Sequence, residues 1–97
     1  MKLILSKSPQ KNKKWRIVFP DQKAVHFGHS AYQDYTIHKD EKRKKSYISR
    51  HKSSENWTKS GIKSAGFWSK HLLWNKPTLR ESIQDIERRY NVHISLV

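Results

Sequence analysis

The sequence predicts one α+β domain over residues 1–97: a small antiparallel sheet, an N-terminal hairpin plus a C-terminal strand, packed against two to three helices. Three observations predict it. Residues 14–27 alternate apolar and polar with period two on either side of a short polar turn. Residues 78–90 carry an apolar stripe at helical spacing behind a capping motif. Residues 92–97 (VHISLV) return to alternation. Ninety-seven residues suffice for one modest core.

The elements follow in order. Lys2–Ser6 is a first strand, with Leu3 and Leu5 on one side and Ile4 on the other. Residues 8–13 (SPQKNK) are polar and contain a proline, which marks a loop. Lys14–Phe19 is the second strand, with Trp15, Ile17 and Phe19 facing one way. Pro20-Asp21-Gln22 turns the chain. Ala24–Phe27 is the third strand, and Gly28 ends it. His29–Ile37 is irregular, with room for one helical turn, and offers Tyr32 and Tyr35 for packing. A helix begins near Asp40, where Asp40 and Glu41 suit the positive end of its dipole, and ends near Lys52. Its apolar positions are Tyr47, Ile48 and the flank of His51, a narrow stripe at i,i+3 and i,i+4 spacing. Residues 55–63 form a loop around Trp57 and Gly61. Ala65–Trp74 is a short helix with Phe67, Leu72 and Leu73 near helical spacing. Pro77 breaks it. Thr78 and Glu81 then open the clearest helix, with Leu79, Ile83, Ile86 and Tyr90 as its stripe. Asn91 ends that helix in a left-handed conformation. The last strand lies at the edge of the sheet.

Charge supplies the functional expectation. The formal net charge is +13, with 21 Lys and Arg against 8 Asp and Glu. Residues 1–38 contribute +5, residues 39–76 contribute +8, and residues 77–97 are neutral. Large rings (Tyr47, Trp57, Phe67, Trp68, Trp74) lie among the central cations, whereas disordered basic tails lack such residues. A folded basic surface is therefore expected, and its most economical partner is a polyanion, nucleic acid first. Lys39, Lys42, Arg43, Lys44, Lys45, Arg50, His51, Lys52, Lys59, Lys63 and Lys70 are the candidate phosphate contacts, with Trp57 a candidate stacking residue. Lys42 to Lys45 are consecutive, so they fan around a helix and only a subset can face one groove. Trp68 and Trp74 read as core, because a domain this small needs their buried area.

Other chemistry is thinly represented. There is no cysteine, hence no disulfide and no thiolate metal site. The histidines at 26, 29, 38, 51, 71 and 93 lack zinc-ligand spacing, and no metal or cofactor is expected. His26, on a strand, is expected to face solvent. Asp34, His38 and Asp40 are the residues from which a nuclease would be drawn, but there is no phosphate-cradling glycine loop, and the expectation is a protein that is not an enzyme. No apolar run approaches the roughly 20 residues of a membrane span. No ribonucleoprotein motif, zinc finger or heptad repeat supports sequence-specific readout.

Residues 25–79 carry distinctive pieces: Val25-His26-Phe27-Gly28, Tyr32-Gln33-Asp34-Tyr35-Thr36, His38-Lys39-Asp40, Tyr47-Ile48-Ser49-Arg50-His51, Glu55-Asn56-Trp57, Ala65-Gly66-Phe67-Trp68-Ser69 and Leu72-Leu73-Trp74-Asn75. In these the chain resembles an uncharacterised domain family of short basic proteins encoded by nucleocytoplasmic large DNA viruses. The resemblance implies a viral setting: virus factory, host nucleus or particle interior. Taken with the charge, the expectation is a sequence-independent protein that binds double-stranded DNA, as a possible homodimer through the last strand or the helix stripe, and helps compact or organise a viral genome. The alternative is a structural or interaction protein of the virion or virus factory that binds an acidic protein partner.

Overall fold

The computed structural model describes all 97 residues. β1 (Lys2–Lys7), β2 (Lys13–Val18) and β3 (Ala24–His29) form an antiparallel meander, with Leu5 opposite Ile17 and Trp15 opposite Phe27. The period-two pattern decides which face is buried. Leu3, Leu5, Ile17, Phe19 and Phe27 point into the core, while Ile4 on the opposite face stays about half exposed (47%). His26 lies on that opposite face, half-buried, with its Nδ1 2.7 Å from the Ser8 hydroxyl.

The fourth strand departs from expectation. β4 (His93–Leu96) joins the edge beside β1 but runs parallel to it, giving the order β3-β2-β1-β4 and a mixed sheet. A parallel neighbour requires a crossover, and the helical segments between β3 and β4 supply one. The left-handed turn at Asn91 (φ 53°) passes the chain from the last helix into this strand. The Glu87 carboxylate then accepts the Ile94 N–H at 2.9 Å and ties β4 to that helix.

Helices cover one face. α1 (Tyr35–His38) is a single turn capped by Asp34, and α2 (Glu41–His51) is capped by Asp40, whose carboxylate accepts from the N–H groups of Lys42 and Arg43. A single 3₁₀ turn spans Lys59–Gly61. α3 (Ala65–Trp68) continues without a break as a π-helix, Ser69–Leu73, in place of the uniform helix expected. The sequence explains the change of pitch. Phe67 and Trp68 are followed five residues later by Leu72 and Leu73, and all four are buried. At α-helical pitch a five-residue step turns side chains well away from the starting face; the wider π turn brings both pairs to the core. α4 (Leu79–Tyr90) is capped by the Thr78 hydroxyl, which accepts the Glu81 N–H at 3.2 Å. Glu81 accepts the Thr78 hydroxyl proton at 2.8 Å rather than reaching the Thr78 backbone, so only half of the reciprocal motif forms.

The core is the space between these layers. Ile83 and Ile86 of α4 meet the Phe67, Trp68, Leu72 and Leu73 cluster over the sheet, with Val92 and Ile94 closing one side. The Trp68 indole N–H donates to the Ile62 carbonyl at 2.6 Å, so a fully buried tryptophan keeps its polar atom satisfied. Gly28 does not end β3 but sits within it at φ +78°. A Cβ there would lie 2.8 Å from Leu73 Cδ1, so the glycine lets the π-helix seat directly on the strand.

Candidate nucleic-acid interface

α2 has too few apolar residues to dock as a helix face, and three contacts fix it instead. The Tyr47 ring lies flat on the Trp74 ring. The Lys44 ammonium donates to the Asn75 carbonyl at 2.6 Å and lies 4.9 Å from the centre of the Tyr35 ring. Asn75 in turn is buried and donates its side-chain amide to Asp85 of α4 at 2.8 Å. The charged end of Lys44, a candidate phosphate contact, thus holds α2 to the body of the protein.

Docked this way, α2 forms one wall of a cleft of about 880 Å³. Lys42, Arg43, Tyr47 and Arg50 line it from the helix; Lys13 and Lys14 of β2 and His29 of β3 line it from one end of the sheet. Small residues, Ala65, Gly66 and Ser69, make the third wall. Two acids also line the cleft, and each is engaged. Asp34 pairs with Lys14 at 2.5 Å, and Glu55 accepts from His51 at 2.6 Å and from the Trp57 indole at 3.0 Å. Lys13, Lys42, Arg43 and Arg50 have no carboxylate within 4.0 Å. Four uncompensated cations therefore face one concavity.

The remaining candidates lie elsewhere. Lys39 is the left-handed cap of α1, its ammonium donating to the Thr36 carbonyl at 2.9 Å. Lys45 is exposed on α2 and Lys52 at its C-terminal cap, neither lining the cleft, and Lys59 is exposed on the 3₁₀ turn. Lys63 pairs with Asp21 at 2.9 Å and lies over the Phe19 ring. Lys70 is half-buried over the Trp57 ring, and burial, with Arg89 and Lys44 nearby, lowers its pKa. Trp57 is half-buried outside the cleft, its carbonyl 2.9 Å from His71 Nε2 and accepting the Tyr90 hydroxyl at 3.2 Å. Trp68 is fully buried, as expected, and Trp74 is half-buried beneath Tyr47.

The residues from which a nuclease would be drawn have structural employment. Asp34 and Asp40 cap α1 and α2, and His38 Nδ1 accepts the Asp40 N–H at 2.9 Å. Burial, then the Arg43 charge, lowers the His38 pKa. No group of three or more His, Asp or Glu side chains is placed to hold a metal.

Sequence reasoning passed over Lys13, Lys14, His29 and Tyr32. The available signal was the pair of lysines opening β2, directly across the hairpin from His29, since Lys13 and His29 are register partners.

A family model described as a family of unknown function, DUF5754, matches residues 3–51. The chain belongs to this family. The DUF5754 stretch runs from β1 to the end of α2, so it contains the meander, both caps and all four uncompensated cations of the cleft; α3 and α4 lie beyond it. No curated protein and no solved structure matches the chain.

Proposed function

We propose that this protein binds double-stranded DNA through its phosphate backbone, largely without regard to sequence and without performing chemistry on it, and that it helps compact or organise the genome of a large DNA virus. The observation that supports this reading is the convergence of Lys13, Lys42, Arg43 and Arg50 on one concavity with no carboxylate partner. Like charges held together destabilise a fold unless a ligand neutralises them, and a polyanion does so while releasing its own counterions. The lysines at 45, 52 and 59 are exposed as well and add to the positive charge of the surface. The setting, a virus factory, the host nucleus or the particle interior, is taken from the resemblance of residues 25–79.

A second copy would extend the contact area. The stripe on α4 is unavailable for this, because Ile83 and Ile86 are spent on the core. The outer edge of β4 is the remaining candidate for a homodimer contact.

The test is a gel-shift series with unrelated duplexes from about 50 to 200 mM salt. Six phosphate contacts would weaken binding by about three decades over that range, equally for each sequence. A flat salt dependence, or capture of a single acidic protein that persists after nuclease treatment, would overturn the reading in favour of an acidic protein partner.

A further inference from the structure

The shape of the cleft says which form of nucleic acid fits it, an inference that rests on the DNA-binding reading above. Proteins that enter a duplex present a convex element, a helix or β-ribbon, to a major groove about 12 Å wide. Here the cations do the opposite. Lys42, Arg43 and Arg50 of α2 and Lys13 of β2 together line a cleft of about 880 Å³. A flexible thread can enter such a concavity, whereas a rigid duplex meets only the cations at its rim.

Rings border the same cleft. Tyr32 is 69% exposed, the largest exposed aromatic side chain, and rests on the His29 imidazole with centroids 4.8 Å apart. On the α2 wall the His51 ring stacks on Tyr47 at 4.3 Å and 26°. Nothing in the fold covers the outer face of Tyr32, and an exposed ring beside unpaired cations is the combination that single-strand binding sites use: charge tracks the backbone, rings take bases, and sequence matters little.

We propose that the cleft is a binding site for an unpaired DNA strand, with phosphates held by Lys13, Lys42, Arg43 and Arg50 and a base stacked on Tyr32. A duplex then meets the cations at the rim of the cleft and the outer lysines, and the preferred ligand is DNA carrying an unpaired segment, such as a frayed end or an overhang.

The experiment is fluorescence anisotropy with an oligothymidine strand and a blunt duplex of equal nucleotide count at matched salt, using wild type, Tyr32→Ala and Arg43→Ala/Arg50→Ala. The strand is expected to bind at least about tenfold tighter than the duplex, and Tyr32→Ala to reduce the strand-to-duplex affinity ratio about tenfold, the loss of one stacked base. The double arginine variant is expected to weaken the strand more than the duplex. All three substituted residues are exposed, and circular dichroism checks that the variants fold. Steeply salt-dependent duplex binding with no strand preference and no Tyr32 effect would overturn this inference alone. Binding of neither ligand would overturn the DNA reading with it.

Discussion

Tyr47 and Trp74 lie face to face, their ring centroids 4.4 Å apart and their planes 3° from parallel. This contact joins the basic helix α2 to the end of the π-helix and so sets the separation of the cleft walls. Tyr47→Ala is expected to cost about 3 kcal/mol of unfolding free energy, as large-to-small changes at buried aromatic sites do. Tyr47→Phe keeps the stack and should cost far less. Urea unfolding followed by tryptophan fluorescence measures both, and equal losses would mean that the hydroxyl rather than the stack matters.

His71 gives stability a pH dependence. It is 1% exposed, and its Nδ1 has no partner. Burial lowers its pKa to about 4, against the raising effect of the Trp57 carbonyl and with Lys70 and Arg89 adding to the fall. Above the unfolded value of about 6.5 both states are neutral and the full stability is present. Between 6.5 and 4 the unfolded chain takes up a proton that the folded chain refuses. Stability therefore drops with falling pH across that window, by about 3 kcal/mol in all. His38, also lowered by burial, adds in the same direction. Urea midpoints at pH 7.5 and 4.5 should differ, and His71→Gln should shrink the difference whatever its effect on stability at pH 7.5.

Asp85 contributes in a more acidic window. Burial raises the pKa of its carboxyl, but hydrogen bonds from Asn75 and Arg89 and the Arg89 charge outweigh that effect and hold it below the usual aspartate value. The stability it supplies is present above the unfolded carboxylate pKa and is lost as pH falls through the lower folded value. Asp85→Ala strands the buried Asn75 amide and should cost about 1–3 kcal/mol at pH 7. Thermal unfolding of Asp85→Ala, Asn75→Ala and the double variant Asn75→Ala/Asp85→Ala tests this, since removing both partners should cost less than the sum of the two single losses.

Neighbouring lysines on α2 should behave differently. Lys44→Ala removes the link to the Asn75 carbonyl and is expected to lower stability by about 1–2 kcal/mol. Lys45→Ala, at an exposed position, should stay within about 0.5 kcal/mol of wild type. Lys42→Ala should leave stability similarly untouched and reduce the slope of log K against log salt by about 1. Parallel melting curves and salt titrations of the three variants separate these roles.

Much of this fold is legible in the residue order because local signals agree with the tertiary result. Alternation places Leu3, Leu5, Ile17 and Phe27 inward, and Asp40, Thr78 and Asn91 mark helix ends by their own hydrogen bonds or backbone angle. The direction of β4 is not legible, because alternation is the same for a parallel and an antiparallel neighbour. The π-helix leaves a trace in the five-residue step from Phe67 to Leu72, which helical spacing alone does not decode. For the cleft, the fanning of Lys42 to Lys45 follows from helical geometry, and two of the four face inward. Which lysine is structural depends on where the Asn75 carbonyl comes to rest, a long-range fact. The contribution of Lys13 depends on hairpin register and on the docking of α2 opposite it, neither of which is written in its neighbours.

The placement of β4 beside β1 has a consequence for synthesis. A ribosome delivers the β1–β2–β3 meander early, while the strand that seals the free flank of β1 is made only after the helices. Until His93–Leu96 emerges, the nascent meander carries a bare edge next to Leu3 and Leu5, a template for another unfinished copy on the same message. Slowing translation near Asn91, or blocking the final strand, should therefore raise co-translational aggregation even though the earlier strands are intact.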